Sequence, residues 1–102
     1  LQKAKREDTL KQAKEIILKV LKEAPARVYL FGSWARGDER SSSDIDIAIE
    51  PIGVLSPSLL QIVREELEES CIPYCFDIVD TREADPNLIK NIKREGVLWK
   101  DC

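Results

Sequence analysis

The sequence predicts an α+β protein of two layers, a mixed three-stranded sheet with its helices on one face. Two observations carry this expectation. Helical and strand-like apolar periods alternate along the chain, and the second and third strand-like runs enclose a helix that suits a parallel, right-handed crossover. The short link between the first and second runs permits an antiparallel pair.

The first helix is "EDTLKQAKEIILKVLKEAP", where Leu10, Ala13, Ile17, Val20, Leu21 and Ala24 recur at three- and four-residue intervals until Pro25. "RVYLFG" follows as a strand that ends at Gly32, where the backbone must turn, and "SWARG" can supply one helical turn. "DERSSS" lacks any period and reads as exposed loop. "DIDIAIEP" then alternates strictly and stops at Pro51, the second strand. In "LSPSLLQIVREELEES", Ser56 is the helix cap, Pro57 takes the first helical position, Leu55 can staple to Leu60, and Leu59, Leu60, Val63 and Leu67 form the inward stripe. "CFDIVD" is the third strand. "DPNLIKNIKREG" follows as a helix capped by Asp85 and stopped at Gly96, and the tail "VLWKD" adds a short strand or packs through Trp99.

With 102 residues, 43% of them hydrophobic, the chain holds apolar material for one core, so residues 1–102 are expected to form a single domain. No apolar run is long enough to span a bilayer and the start lacks a secretion signal, which places the protein in the cytoplasm with no membrane partner. There is no methionine, so Leu1 is not expected to be a natural start. Dense Lys/Arg runs with interleaved aromatics are missing, which argues against polymeric nucleic acid as a partner. Cys71, Cys75 and Cys102 cannot complete a four-ligand zinc site without histidine and are read as reduced, partly buried thiols, a Cys71 to Cys75 disulfide being the alternative.

Net charge is only -3, yet acids concentrate in one half: residues 41–102 carry thirteen acidic and six basic side chains. Side chains on a strand alternate, so Asp44 and Asp46 share a face about 6.6 Å apart, and Ile45, Ile47 and Ile49 take the other. Asp77 joins the aspartates if its neighbours Phe76 and Ile78 face the helices. Two unit charges about 6 Å apart repel by roughly 2.8 kcal/mol at an effective dielectric near 20, so three carboxylates call for a cation. No Lys or Arg lies in either strand. A divalent ion with oxygen ligands is the best candidate, which makes Asp44, Asp46 and Asp77 both the catalytic and the metal-binding candidates.

A bare D-x-D is usually a solvated outer face; its company changes that. Gly32 and Ser33 end the preceding strand at a helical turn, where backbone N–H groups and a hydroxyl favour phosphate, and Arg36 adds a fixed positive charge. Gly32, Ser33, Arg36 and Ser43 are therefore the nucleotide-binding candidates, with loop termination as the alternative role of Ser43. Trp34 is read as packed against its own domain, and Glu50 as solvated.

"GSWARGDERSSSDIDIAIE", with ten residues between Ser33 and Asp44, followed by "FDIVD", resembles the DNA polymerase beta-like nucleotidyltransferases, and in size and wording the minimal nucleotidyltransferases. The resemblance implies a polymerase beta palm-like fold with strand order 1-2-3, two Mg²⁺ ions on Asp44 and Asp46, and Asp77 as the third acid that helps activate an acceptor hydroxyl. Gly32, Ser33 and Arg36 would hold the triphosphate of a nucleoside triphosphate, with ATP as substrate. It also implies a helical HEPN-type partner, with the chain as antitoxin transferring AMP to a hydroxyl of that toxin. Two alternatives stand beside this reading: a binding module that neutralises its partner by complex formation, and transfer to a small-molecule hydroxyl, for which a homo-oligomer would have to build the second wall of the cleft.

Overall fold

The structure, a computed structural model, describes residues 2–101. Along the chain run α1 (Gln2–Val20), β1 (Ala26–Phe31), α2 (Ser33–Arg36), β2 (Ile45–Pro51), α3 (Pro57–Glu69), β3 (Phe76–Asp80), α4 (Pro86–Glu95) and β4 (Val97–Lys100), with a 3-10 turn at Thr81–Glu83. The α+β class and the mixed sheet stand as expected. The sheet has four strands and not three, in the order β3-β2-β1-β4. The tail makes both arrangements foreseen for it: it pairs antiparallel with β1 and tucks Trp99 against the core.

Local chemistry sets most element ends. A residue before proline disfavours the helical region, and α1 stops at Val20, short of the expected Pro25, and gives way to a turn in which Ala24 N–H bonds to Leu21 C=O at 3.0 Å. Ser56 caps α3 by accepting the Ser58 N–H at 3.3 Å, and Asp85 caps α4 by accepting the Asn87 N–H at 2.7 Å.

The register divides the sheet into two unlike faces. Leu30, Ile47 and Ile78 lie side by side, as do Val28, Ile49 and Asp80. This face meets Ala13 and Ile17 of α1, Leu21 of the turn that follows it, and Leu60, Val63 and Leu67 of α3 in one core. On the other face lie three rows: Phe31, Asp46 and Asp77; Tyr29, Ala48 and Val79; Arg27 and Glu50. Here α4 departs from a one-sided arrangement. Its Lys93 reaches Glu50 at 2.9 Å, and Ile92 and Ala48 are buried outside the main core, so α4 covers the far end of the aspartate face and leaves the near end open.

Cys71 and Cys75 are free, as expected, but exposed and not partly buried. In the loop between α3 and β3 it is the residues between them that turn inward: Ile72 enters the core and Tyr74 packs edge-on against Trp34, with ring centroids 4.9 Å apart. Cys102 lies outside the described residues.

Asp80 ends β3 on the helix side. Its carboxylate accepts the Arg82 N–H at 2.9 Å and the Arg82 guanidinium at 2.7 Å, and those bonds hold its carboxyl below the usual carboxylate range. Asp80→Ala removes the cap and strands a charged partner, which is expected to lower stability by about 2 kcal/mol and the melting temperature by about 10 °C. Calorimetry checks this. Asp80→Asn, which keeps a cap acceptor, should recover part of the loss.

Candidate active site

The site starts at the end of β1. Gly32 adopts φ 74 and ψ -156, a conformation that L side chains rarely take. A Cβ built there would overlap the Asp46 carboxylate. Both facts require glycine, and together they let the Asp46 side chain lie directly against the backbone of the turn. From Gly32 the chain enters α2, whose first N–H groups have no acceptor within the turn; Ala35 and Arg36 N–H both bond back to Gly32 C=O at 3.1 Å. Ser33, half-buried, is the first residue of α2.

Strand pairing supplies the acids. Asp46 is the register partner of Asp77 on β3 and of Phe31 on β1, so the two carboxylates stand on one face of neighbouring strands, about 4.8 Å between backbones. Asp44 stands one residue before β2, exposed, and the β2–β3 pairing begins just after it, where Ile45 N–H bonds to Cys75 C=O at 2.9 Å. The structure thus brings Asp46 and Asp77 together beside Gly32 and leaves Asp44 at the threshold of the strand. Among the described residues, no three His, Cys, Asp or Glu side chains form a ready-made metal cage.

Electrostatics couples the three acids all the same. Burial, then the charge of Asp77, then that of Asp44 push Asp46 up from 3.8 to about 6, with Arg36 pulling the other way. Arg36 is otherwise held by Asp38 at 3.3 Å and Glu95 at 3.9 Å. This donor set fits a divalent cation that arrives with phosphates, because Mg²⁺ is typically held by one or two carboxylates plus substrate oxygens and not by an all-protein cage.

Several contacts in and around the site join residues far apart in sequence. The loop 38–43, expected to be simply exposed, is tied down at several points. Arg6 of α1 donates to Glu39 at 3.0 Å and to the Trp34 carbonyl. Trp34 Nε1 donates to Ser43 C=O at 3.3 Å, and the Ser43 hydroxyl accepts the Arg40 N–H at 2.9 Å. The Ser43 hydroxyl therefore already serves as an acceptor within the loop. Trp34 is 2% exposed, packed within its own domain as its sequence context suggested. Glu50 is not solvated: it is half-buried between Lys93 and Arg27, which hold its carboxyl low. A basic residue seven places into the last helix is the only sequence signal for that pairing.

The fold and site define a small α+β domain with an acidic centre on the open face of a mixed sheet, beside a glycine-serine turn. Residues 11–101 match the family model described as Polymerase beta, Nucleotidyltransferase, and the chain belongs to that family. It is 36% identical over 76 residues to the protein adenylyltransferase MntA of Shewanella oneidensis, a match taking in 71% of this chain and 52% of that protein. The chain thus spans about half the length of that relative. It is 30% identical over 95 residues to the protein adenylyltransferase MntA of Thermococcus cleftensis, covering 87% of this chain and 94% of the relative. A crystal structure of a toxin-antitoxin with AMP-PNP superposes with a TM-score of 0.69 at 27% identity, over 87% of this chain and 73% of the other. No helix among the described residues is long and apolar enough to cross a membrane.

Two outcomes follow from the geometry. An unfolded Asp46 loses its proton near the ordinary 3.8, whereas the folded one keeps it to about 6, so the folded state binds more protons in that window and stability falls as pH rises through it. Asp46→Asn should therefore be more stable than the parent above that window, by about 1 kcal/mol after allowing for screening of a half-exposed carboxylate, and equal to it below the window. Urea denaturation across pH measures the difference. Gly32→Ala should cost about 2 kcal/mol or more, since it meets both the strained backbone and the overlap with Asp46. Denaturation of that variant, and of Gly32→Ala combined with Asp46→Ala, separates the two causes.

Proposed function

We propose that the chain is a magnesium-dependent nucleotidyltransferase that moves AMP from ATP to a hydroxyl of a partner protein, acting in the cytoplasm as the antitoxin of a HEPN-type pair. The observation that carries this reading is the placement of Asp46 and Asp77 as register partners with Gly32 against the Asp46 carboxylate. Two acids without a basic side chain of their own are costly unless a dication joins them. The adenylyltransferase names of the relatives and the AMP-PNP in the superposing toxin-antitoxin structure support the choice of nucleotide and partner.

In this reading the turn at Gly32 and Ser33 receives the triphosphate tail through N–H groups and the Ser33 hydroxyl, and Arg36 exchanges its exposed carboxylate partners for phosphate oxygens. Asp44, Asp46 and Asp77 would hold the magnesium ions, which offset charge developing on the phosphoryl oxygens when bound. Asp77 stands on the edge strand, where an acceptor has access, and takes the proton of the attacking hydroxyl. That hydroxyl bonds to the α-phosphorus as the bond to the pyrophosphate oxygen breaks.

Incubation with ATP labelled at the α-phosphate, Mg²⁺ and the helical partner tests this. Label should pass to the partner, and Asp46→Ala or Asp77→Ala should reduce the rate by at least about 100-fold with the fold intact. Equal labelling by parent and variants rules the reading out. Variants that no longer label yet still neutralise the toxin in cells would mark a module that acts by complex formation.

A further inference from the structure

The sheet has two edges, and one of them runs beside the acids. In the order β3-β2-β1-β4 the outer side of β3 is unpaired, and such an edge presents a row of N–H and C=O groups that another strand can extend. The parallel ladder fixes which groups these are. Ile45 N–H bonds to Cys75 C=O at 2.9 Å and Ile45 is the register partner of Phe76, so residues 75, 77 and 79 turn their backbone groups toward β2, and Phe76 and Ile78 turn theirs outward. The Arg64 guanidinium reaches this edge and donates to Ile78 C=O at 3.3 Å. Phe76 C=O and Ile78 N–H flank Asp77, and no bond from another part of the chain engages them among the described residues.

These two groups match one residue of an added strand. A residue in parallel register with Asp77 gives its N–H to Phe76 C=O and takes Ile78 N–H on its own C=O. An antiparallel one would have to share Ile78 C=O with Arg64. Register partners share a face, so the side chain of that added residue continues the row Phe31, Asp46, Asp77, one strand spacing of about 4.8 Å beyond Asp77. Its neighbours on either side turn toward α3, where a recess of about 480 Å³ lies along β3, lined by Arg64, Leu67, Glu68 and Ile72 together with Phe76 and Ile78.

We propose that β3 is the docking edge for the acceptor: the hydroxyl-bearing residue lies in an extended segment of the partner protein, which adds to β3 in parallel with that residue opposite Asp77. This rests on the nucleotidyl-transfer reading above and names the form in which the acceptor comes. The backbone chemistry of the edge selects the occupant. A helix spends its N–H and C=O groups within itself and has none to offer along its length. A second copy related by a two-fold axis across the edge would run antiparallel and bring its own Asp77 to the same seam, where like charges repel. An extended segment meets neither obstacle, and strand addition is a recurrent mode of peptide recognition. The other edge, β4, is separated from β3 by β2 and β1 and lies away from the acids.

Capped peptides of sequence Thr-Val-Tyr-Val-Lys, added to the whole chain, test this. Amide hydrogen exchange followed by NMR reads the pairing, and label passing from ATP labelled at the α-phosphate to the tyrosine reads the transfer. At about 5 mM peptide the Ile78 amide should exchange at least about fivefold more slowly. The same peptide with phenylalanine in place of tyrosine should protect Ile78 equally and take no label. Methylation of the central backbone nitrogen, which removes the N–H that meets Phe76 C=O, should weaken binding at least about tenfold, whereas methylation of the next nitrogen, which points away from β3, should leave it within about twofold. An Ile78 amide that exchanges equally fast with and without peptide overturns the proposal, as does methylation that acts alike at both nitrogens. Protection that rises with protein concentration and needs no peptide marks a second copy at this edge and overturns it too. Label reaching the tyrosine with Ile78 unprotected leaves the transfer reading standing and overturns strand addition; protection without label upholds strand addition and counts against the transfer.

Discussion

The acidic site depends on how closely the Asp46 carboxylate approaches the backbone at Gly32. A side chain at that position would push the carboxylate away and force the turn out of its positive-φ conformation. With hydrogen alone on Cα, the end of β1, the start of α2 and the first residues of β2 meet at one point, at Asp46. The β2–β3 register then places Asp77 beside that point. Remove the close approach, and the turn and the acids become two separate features on neighbouring strands.

The same strand carries a control for what those acids mean. Glu50 lies on the Asp46 face, four residues on, and it is neutralised within the fold by Lys93 and Arg27, its proton affinity driven down. Asp46 is driven the opposite way by burial and by two like charges. One carboxylate has found its partners inside the protein; the other has only the weaker opposing pull of Arg36. Uncompensated charge in a recess is where functional groups concentrate, because the missing counter-charge is what a ligand can bring.

What was legible in the sequence is what local chemistry decides. The alternation of "DIDIAIEP", the caps at Ser56 and Asp85, and the crossover from β2 through α3 to β3 all follow from residues within a few positions of one another. Asp46, Asp77 and Gly32 could be placed together because strand parity and one glycine turn are short-range facts. Asp44 shows the limit of that parity, since the strand starts one residue later. The place of the fourth strand in the sheet, the partners of Glu50 and the anchoring of the loop 38–43 were not legible, for one reason. β4 is a four-residue edge strand whose partner lies some 70 residues away; Glu50 is quenched by a lysine on the last helix; the loop is gripped by Arg6 from the first helix. In each case the deciding partner is distant in sequence and carries no periodic mark.

The grip on that loop has a further meaning. Trp34 is at once the second residue of the turn that follows Gly32, the floor on which Tyr74 rests, the surface under the Arg6 guanidinium and the donor that fastens Ser43. One indole therefore couples the amino-terminal helix, both ends of the loop and the approach to β3. A fluctuation that lifts it loosens all four together, which ties the order of the glycine turn to that of the loop leading into the aspartate strand.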